Sequence, residues 1–470
     1  MARKVDHPSL DERRARGKEA RSRTPRSSHG RWAPADDRAD PVGLLEEQNR
    51  TRDADLVPVR HGRMIVSPFT FYRGAARIMA ADLSGTPTAG LNVQLCGDAH
   101  LSNFGLFASP ERKLVFDLND FDETLPGPFE YDVKRMAASF TIAAKNNGFA
   151  EPDVRASTQA AVLAYRQAMA EFAGMGTMDV WYAHLDADEM MSAIQAEVRS
   201  KGDARLAARA EQNVAKARTR DSLQAVSKLA EFVDGRYRIV SQPPIIVPAR
   251  DITAVYDMDP DEIVPIVHAE FREYRATLQE DRRRLLEQFE MEDAARKVVG
   301  VGSVGTRAFV ILLRGRDEHD PLFLQVKEAT RSVLEDHLPR SRYRHHGQRV
   351  VAGQRLMQAA SDIFLGWSKG VDPNRHFYWR QLRDMKGSAD VEVMVPRGLR
   401  FYAGLCGWTL ARGHARSGDA VAISSYLGRN DAFDRSIADF AGTYADQNER
   451  DYDAFLEAIR SGRLDAREGV

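Results

Sequence analysis

The spacing of apolar residues predicts a chain that mixes helices with short strands. Apolar side chains recur at helical spacing over residues 69–83 and, as an amphipathic helix, over 129–146. Short apolar runs at 91–96 and 113–118 predict two strands. A polar loop lies between these strands, so we expect a compact β-loop-β unit in this part of the chain.

The rest of the chain is predicted to hold a long helical block, a β-rich segment and terminal helices. Helical periodicity runs over residues 151–235, and a long charged helix is predicted over 259–289. The predicted strands are rich in branched and aromatic residues and cover 237–249, 297–299, 307–313, 322–327, 362–368 and 376–382. Further helices are predicted at 349–360, 399–415 and 433–459.

Composition indicates a soluble globular protein with a large core. The chain has 470 residues, of which 43% are hydrophobic and 29% are charged, enough to build two or three lobes. No apolar run approaches the roughly 18 residues that cross a bilayer, and the polar N-terminus lacks the apolar region of a signal peptide. We therefore expect a cytoplasmic protein with no membrane partner. The net charge of −1 also gives no reason to expect a nucleic-acid partner.

The loop after the first predicted strand contains the strongest chemical motif. It reads Gly-Asp-Ala-His-Leu-Ser-Asn from Gly97 to Asn103. An Asp and an Asn five positions apart in one loop can face the same pocket, where Asp98 would orient or deprotonate a hydroxyl and Asn103 would offer an oxygen to Mg²⁺. His100 would hold the Asp98 carboxylate or act as a general acid or base. The alternative is a polar turn whose side chains cap local backbone.

A second acidic loop follows the next predicted strand. Asp120 and Asp122 are its candidate metal ligands, and Asp120 is favoured. Asp117 competes with Asp120 for this role, so the choice between them stays open. Carboxylate and amide oxygens in this order would suit Mg²⁺ or Mn²⁺ bound to the phosphates of a nucleotide.

A glycine-rich run between two predicted strands is a candidate phosphate-binding loop. Gly300, Gly302, Ser303 and Gly305 would let backbone N–H groups approach phosphate oxygens closely. The alternative is an ordinary hairpin.

A lysine lies in the second predicted strand after the glycine-rich run. Alternation places Lys327 on the same strand face as Phe323 and Gln325, so its stem would cross an apolar surface. Its position after the glycine-rich run resembles the pattern of protein kinases, which implies that it would contact the α and β phosphates. Glu335 is its predicted partner, and Glu328 is the competitor. The alternative for Lys327 is an exposed strand lysine.

These motifs resemble those of two groups of phosphotransferases. The acidic loops are similar to those of aminoglycoside and choline phosphotransferases, whose catalytic loop has the form Gly-Asp-x-His-x-x-Asn, and the glycine-rich run resembles that of protein kinases. The resemblance implies an α+β, protein kinase-like (aminoglycoside phosphotransferase-like) bilobal fold with a large helical portion. In kinase-like enzymes the glycine-rich lobe precedes the catalytic loop, whereas here it follows about 200 residues later. We therefore predict a circularly permuted version of the fold.

Three further runs resemble a widespread bacterial family catalogued as a domain of unknown function. They lie at residues 56–60, 71–74 and 119–123. The likeness extends over nearly all of the chain from about residue 20, but it implies no activity.

The motifs divide the chain into five predicted regions. The first is rich in Arg, Ser and Pro and is expected to be disordered or draped over the body. In order, the regions are an N-terminal arm at 1–55, the catalytic and metal-binding loops of a large lobe at 56–150, a helical block with acceptor recognition at 151–290, a small β lobe at 291–396 and C-terminal helices of the large lobe at 397–470.

Together these features predict an ATP- and Mg²⁺-dependent phosphotransferase. Its partners would be the nucleotide and a hydroxyl acceptor, either a small molecule or a protein. The alternatives are a nucleotidyl transferase on the same fold, a non-catalytic nucleotide-binding regulator and a metallophosphoesterase. The last of these needs a Gly-Asn-His-Glu type element and paired histidines, which the sequence lacks.

Overall fold

Helices and antiparallel sheets share the chain, which confirms the predicted α+β class. The computed structural model describes residues 6–192, 195, 204–219, 222–251, 260–298, 300–382 and 385–469. Within this part of the chain, no helix has both the length and the apolar character needed to cross a membrane.

Helices dominate both ends of the chain, and most strands lie in its second half. The N-terminal part contains α1 (Leu10–Arg23), α2 (Pro41–Asn49), α3 (Val57–Met64), α4 (Pro68–Gly74), α5 (Ala76–Ser84), β1 (Asn92–Leu95), β2 (Phe104–Ala108), β3 (Leu114–Leu118), β4 (Leu125–Pro128), α6 (Phe129–Asn146) and α7 (Glu151–Phe172). The middle part contains α8 (Thr177–Tyr182), β5 (Leu185–Asp186), α9 (Ala204–Arg218), α10 (Ser222–Leu229), β6 (Ala230–Val233), β7 (Arg236–Ile239), β8 (Ile246–Pro248), α11 (Pro260–Ala276) and α12 (Glu280–Leu286). The last part contains β9 (Glu290–Lys297), β10 (Ala308–Arg314), β11 (Pro321–Glu328), α13 (His346–Met357), β12 (Gly366–Lys369), β13 (His376–Gln381), β14 (Gly387–Ser388), α14 (Pro396–Ala415), α15 (Ala420–Leu427) and α16 (Ala432–Arg460).

The strands around the acidic loops pair differently from the predicted β-loop-β unit. Strand β1 pairs with β4, which places Leu95 opposite Leu125. Strand β3 pairs with β2, which the apolar pattern does not predict. Four of the five β2 residues are buried, so this strand lacks the alternation that marks a half-buried strand.

The helical periodicity over residues 151–235 does not predict strands β5 and β6, whereas β7 and β8 agree with the strand predicted over 237–249. A hairpin joins β6 and β7 through Asp234 and Gly235, whose φ angles are +53° and +78°. An Asp-Gly pair favours such a two-residue turn. The helix predicted over 259–289 is interrupted: α11 ends at Ala276 and α12 begins at Glu280. Residue 259 lies outside the described residues.

The largest sheet of the described residues is antiparallel, with the strand order β12-β13-β11-β10-β9-β8. Lys327 on β11 lies opposite Tyr378 on β13, and Gln325 lies opposite Arg380. Because side chains alternate along a strand, these four project from one face of the sheet. The other face packs on α11, where Trp379 stacks on a tyrosine ring with centroids 4.5 Å apart.

Both ends of the chain pack on the helical body. Helix α1 lies against α15, and its Ala20 is fully buried. Gly17 permits this contact, since a Cβ there would lie 2.1 Å from the carbonyl oxygen of Ala422. At the other end, the N–H of Arg467 donates to the carbonyl of Pro58 over 2.8 Å. The C-terminal segment therefore lies beside residues that directly follow the N-terminal arm.

Candidate active site

The loop after β1 is positioned by a glycine and by helix α6. Gly97 has a φ of +88°, and a Cβ there would lie 2.3 Å from the carbonyl oxygen of Glu123. A side chain at this position would therefore push the two acidic loops apart. The carboxylate of Asp132 on α6 accepts hydrogen bonds from the N–H groups of Cys96 at 2.8 Å and Gly97 at 3.0 Å. The start of the loop is thereby fixed to the helix.

Asp98 is held by an arginine and lines a cavity. The Nε of Arg135 donates to Oδ1 of Asp98 over 2.7 Å, and the Arg135 guanidinium lies 3.9 Å from the ring centroid of Tyr72. The Asp98 side chain keeps 18% of its surface exposed. Burial raises the pKa of Asp98 to about 6, although Arg135 acts in the opposite direction. The carboxyl can therefore change its protonation state near neutral pH.

His100 and Asn103 line the same cavity as Asp98. Burial holds the pKa of His100 well below its usual value, so the imidazole is neutral. Its Nε2 lies 3.7 Å from Oδ2 of Asp98, too far for a hydrogen bond, and its Nδ1 has no partner among the described residues. The Nδ2 of Asn103 donates to the backbone carbonyl of Asp98 over 2.8 Å. This contact leaves the amide oxygen of Asn103 available to accept from, or bind, another group.

The second acidic loop meets the lysine of β11. Lys327 Nζ lies 2.7 Å from Oδ2 of Asp122 and 3.9 Å from Oδ2 of Asp120. The hydroxyl of Tyr378 donates to the other oxygen of Asp122 over 2.6 Å. Asp120 is one-third exposed, and its Oδ1 accepts one hydrogen bond, of 3.1 Å, from the N–H of Asp122. Asp120 is thus the more accessible of the two carboxylates.

The carboxylates beside Lys327 belong to the acidic loop. Asp122, a predicted metal ligand, has its oxygens hydrogen-bonded to Lys327 and Tyr378 of the sheet. Glu335, the predicted partner of Lys327, lies 3.6 Å from Arg331. The competitor, Glu328, pairs with arginines and not with the lysine. Lys327 does not pair with either glutamate, because the acidic loop approaches β11 and places Asp120 and Asp122 beside the lysine.

Asp117 is part of the protein core. Its side chain is 1% exposed and forms an ion pair with Arg412 on α14. It also accepts hydrogen bonds of 2.8 Å from the N–H groups of Leu118 and Ala359. With these partners, Asp117 links β3 to the surrounding helices and lines neither of the cavities described below.

Replacing Asp117 with alanine should therefore destabilise the fold. Loss of one partner from a buried ion pair leaves the other charge uncompensated, which costs about 3–5 kcal/mol. Urea unfolding would measure the difference. The matched control, Asp120→Ala, should change the free energy of unfolding by less than about 1 kcal/mol, because that carboxylate is partly exposed. Equal losses in the two variants would contradict the assignment of Asp117 to the core.

The glycine-rich run is a turn that packs on the segment before the acidic loops. Gly300 and Gly305 have φ angles of +68° and +87°. Val304 is fully buried with apolar residues of α3 and the turn before it. The N–H of Asp53 donates to the carbonyl of Gly305 over 2.8 Å. At Gly302, a Cβ would lie 3.0 Å from a backbone carbonyl of α4. The loop is thus seated against residues 53–73.

Two cavities meet at this loop. The larger encloses about 600 Å³ between the sheet and the helical body, and the smaller encloses about 290 Å³. Their shared lining residues are Asp120, Gly300 and Ser303. The larger is also lined by Gln325, Lys327, Arg380, Gln381, Leu382 and Lys386. The smaller is also lined by Arg52, Arg73, Asp98, His100, Asn103 and Gly302. The kinase-like resemblance also predicts that residues 383–390 lie near a hinge where adenine would bind, and residues 383 and 384 lie outside the described part of the chain.

The site contains side chains that no motif predicted. Arg380 donates to Oε1 of Gln325 over 3.1 Å, and Tyr378 holds Asp122 as described above. Arg349 on α13 donates to the carbonyl of Asp122 over 2.7 Å and so fixes the acidic loop. Alternation along β13 was the available signal, because it puts Tyr378 and Arg380 on one strand face. Arg349 had no such signal, since its partners are backbone groups distant in sequence.

The site thus belongs to an α+β protein in which two acidic loops face one side of an antiparallel sheet. The chain belongs to the family described as "Uncharacterized protein conserved in bacteria (DUF2252)", which matches residues 52–458. This match confirms the resemblance to a bacterial family of unknown function. No curated protein and no solved structure matches the chain.

Proposed function

We propose that this protein is an ATP- and Mg²⁺-dependent phosphotransferase with a circularly permuted kinase-like core. The observation that carries the proposal is the meeting of Lys327 with the second acidic loop. The lysine lies 2.7 Å from Asp122 and 3.9 Å from Asp120, although about 200 residues separate them in sequence. A phosphate-binding cation beside a metal-binding carboxylate is the arrangement that phosphoryl transfer requires.

The larger cavity suits a nucleotide. Lys327 and Arg380 would pair with its phosphates, and the N–H groups of Gly300 and Ser303, which line the same cavity, would contact phosphate oxygens. Gln381 and Leu382, which also line it, would contact the base. The volume of about 600 Å³ falls in the range of small-molecule sites.

Asn103 and Asp120 fit a magnesium ion. Both line the smaller cavity, and they offer an amide oxygen and a carboxylate, the hard ligands that Mg²⁺ takes together with substrate phosphates. Bound there, the ion would neutralise charge on the phosphates. Asp98, in the same cavity, would orient the acceptor hydroxyl and take its proton, while Arg135 keeps the carboxylate in position.

The order of the elements supports the kinase-like reading. The glycine-rich loop joins β9 to β10, and the lysine lies on the next strand, β11, as in protein kinases, where the lysine lies on the third strand. The contact between Arg467 and Pro58 also brings the two ends of the matched region close together. Circular permutation requires such proximity, because the two present ends would have been joined by a connection in the unpermuted fold.

The metallophosphoesterase alternative has less support. Its two metal ions need several histidine and carboxylate ligands at one place. Among the described residues, no group of three or more His, Cys, Asp or Glu side chains could hold a metal ion. A site with one or two carboxylates, completed by nucleotide phosphates, does not require such a group.

Labelled ATP tests the proposal. The protein would be incubated with Mg²⁺, a protein-free bacterial metabolite extract and ATP labelled at the γ or the α phosphate. We expect the γ label to move to an acceptor, and the transfer to disappear in Asp98→Ala but persist in Asp446→Ala, an exposed aspartate on α16. Transfer of the α label would indicate a nucleotidyl transferase. If neither label moves but ATP raises the melting temperature, the protein is a regulator.

A further inference from the structure

The smaller cavity has an arginine-rich wall opposite the metal-binding loops. Residues 47–77 contribute Arg52, Arg73 and Arg77 to this wall, against one acidic residue, Glu47. Resting on the proposed function, we propose that the acceptor is a small hydroxylated molecule with an anionic group, and that Arg73 binds that group.

Arg73 differs from the neighbouring arginines in its pairing. Arg77 lies 3.0 Å from Glu47 and 3.1 Å from Asp336, and Arg331 lies 2.9 Å from Asp336. Arg73 forms no hydrogen bond or ion pair with a carboxylate among the described residues, and its buried Nε has no hydrogen-bond partner there. Its guanidinium carbon lies 6.0 Å from the ring centroid of Phe69, and the charges of Asp98 and Glu392 offset the cost of its burial only in part. An anion in the cavity would compensate that charge.

Arg73 lines the smaller cavity together with Asp98 and His100, the two residues that would contact the acceptor hydroxyl. Its backbone carbonyl also faces Gly302. A molecule whose hydroxyl reaches Asp98 would therefore have Arg73 within reach of its other groups.

His100 provides a second group for such a ligand. The residue is 4% exposed, it lines the cavity, and its Nδ1 has no hydrogen-bond partner among the described residues. This ring nitrogen can therefore form one hydrogen bond with a polar group of the ligand. Arg73 would thus recognise the anionic end of the acceptor and His100 a polar group near its reacting end.

The dimensions of the cavity favour a small molecule over a protein acceptor. It encloses about 290 Å³, at the lower end of small-molecule sites. Its walls come from residues 47–123 and 300–333. The helical block at 151–290, where acceptor recognition is predicted, contributes none of the described residues that line this cavity.

Inorganic phosphate is a suitable probe for the anion-binding group. Calorimetric titration would use protein saturated with Mg²⁺ and a non-hydrolysable ATP analogue, so that the nucleotide site is filled. We expect phosphate to bind the natural protein. Arg73→Gln should weaken this binding about tenfold or more, since a charge-assisted hydrogen bond contributes about 1.5–3 kcal/mol. Arg73→Lys, which keeps the charge, should restore part of it.

The matched control is Arg316→Gln. Arg316 is exposed in the loop between β10 and β11 and lines neither cavity. This variant should bind phosphate like the natural protein. Equal phosphate affinity in Arg73→Gln, or no phosphate binding by the natural protein, would overturn the inference. Binding of the analogue is measured separately in the same series. If the analogue does not bind but phosphate still requires Arg73, the proposed function fails while the anion site stands.

Discussion

Asp98→Asn is expected to lower γ-phosphoryl transfer by about 10²–10⁴-fold, the usual contribution of a general base. Asparagine keeps the shape of the side chain and an oxygen that can accept from Arg135, so the loop should remain in place. Single-turnover kinetics with γ-labelled ATP would measure the loss. Binding of a non-hydrolysable ATP analogue should change little, because Asp98 does not line the larger cavity, where the nucleotide is proposed to bind. An unchanged transfer rate would exclude Asp98 as the base.

The same carboxyl should set the acid limb of the pH profile. Burial raises the pKa of Asp98 to about 6, so the carboxyl is protonated, and inactive as a base, below that pH. The rate constant kcat/KM should therefore rise as pH increases through about 6. Burial also raises the pKa of Glu123, to about 7, so this residue could produce a similar limb. The limb should persist in Glu123→Gln; its loss there would assign it to Glu123.

Asp120→Asn is expected to lower phosphoryl transfer by about 10²–10³-fold, as for the removal of one electrostatic stabiliser from an active site. The substitution removes the charge of the accessible carboxylate beside Lys327 while keeping its size. The Mg²⁺ concentration needed for half-maximal rate should rise, and a Mg²⁺ titration of the transfer rate would show it.

Asp446→Asn on α16 is the control, since that aspartate is exposed and pairs with Lys145 at the surface. It should behave like the natural protein. The comparison with Asp122→Asn is also informative. If that variant changes the Mg²⁺ requirement more than Asp120→Asn does, the metal ligand is Asp122 and its contact with Lys327 must rearrange when nucleotide binds.

The candidate site was predictable where its residues are neighbours in sequence. Asp98, His100 and Asn103 occupy one short loop, so their presence in one cavity follows from the loop itself. Lys327 was predictable because strand alternation fixes its face. The partner of Lys327 was not predictable. It depends on how closely the loop with Asp122 approaches β11, and this distance is set by tertiary packing rather than by local pattern.

The fold, like the site, was predictable where the signal is local in sequence and not where it depends on tertiary packing. Helix α6 agrees with its predicted bounds, and α7 begins at residue 151 as the predicted helical block does, because the spacing of apolar residues within a helix indicates its buried face. The pairing of β1 with β4 could not be inferred, since other strands lie between them. The hairpin at Asp234 and Gly235 did carry a local signal in its turn residues. Helical periodicity in the surrounding block obscured it.

The separation of Lys327 from Asp98 in the chain has a consequence for biosynthesis. The ribosome adds the lysine about 230 residues after the aspartate, which at roughly 5–20 residues per second takes about 10–50 s. Throughout that interval, the nascent chain carries its acidic loops without the cation that pairs with them. The proposed nucleotide site is therefore incomplete until β11 has been synthesised, and any contribution of Lys327 to binding arises late in translation.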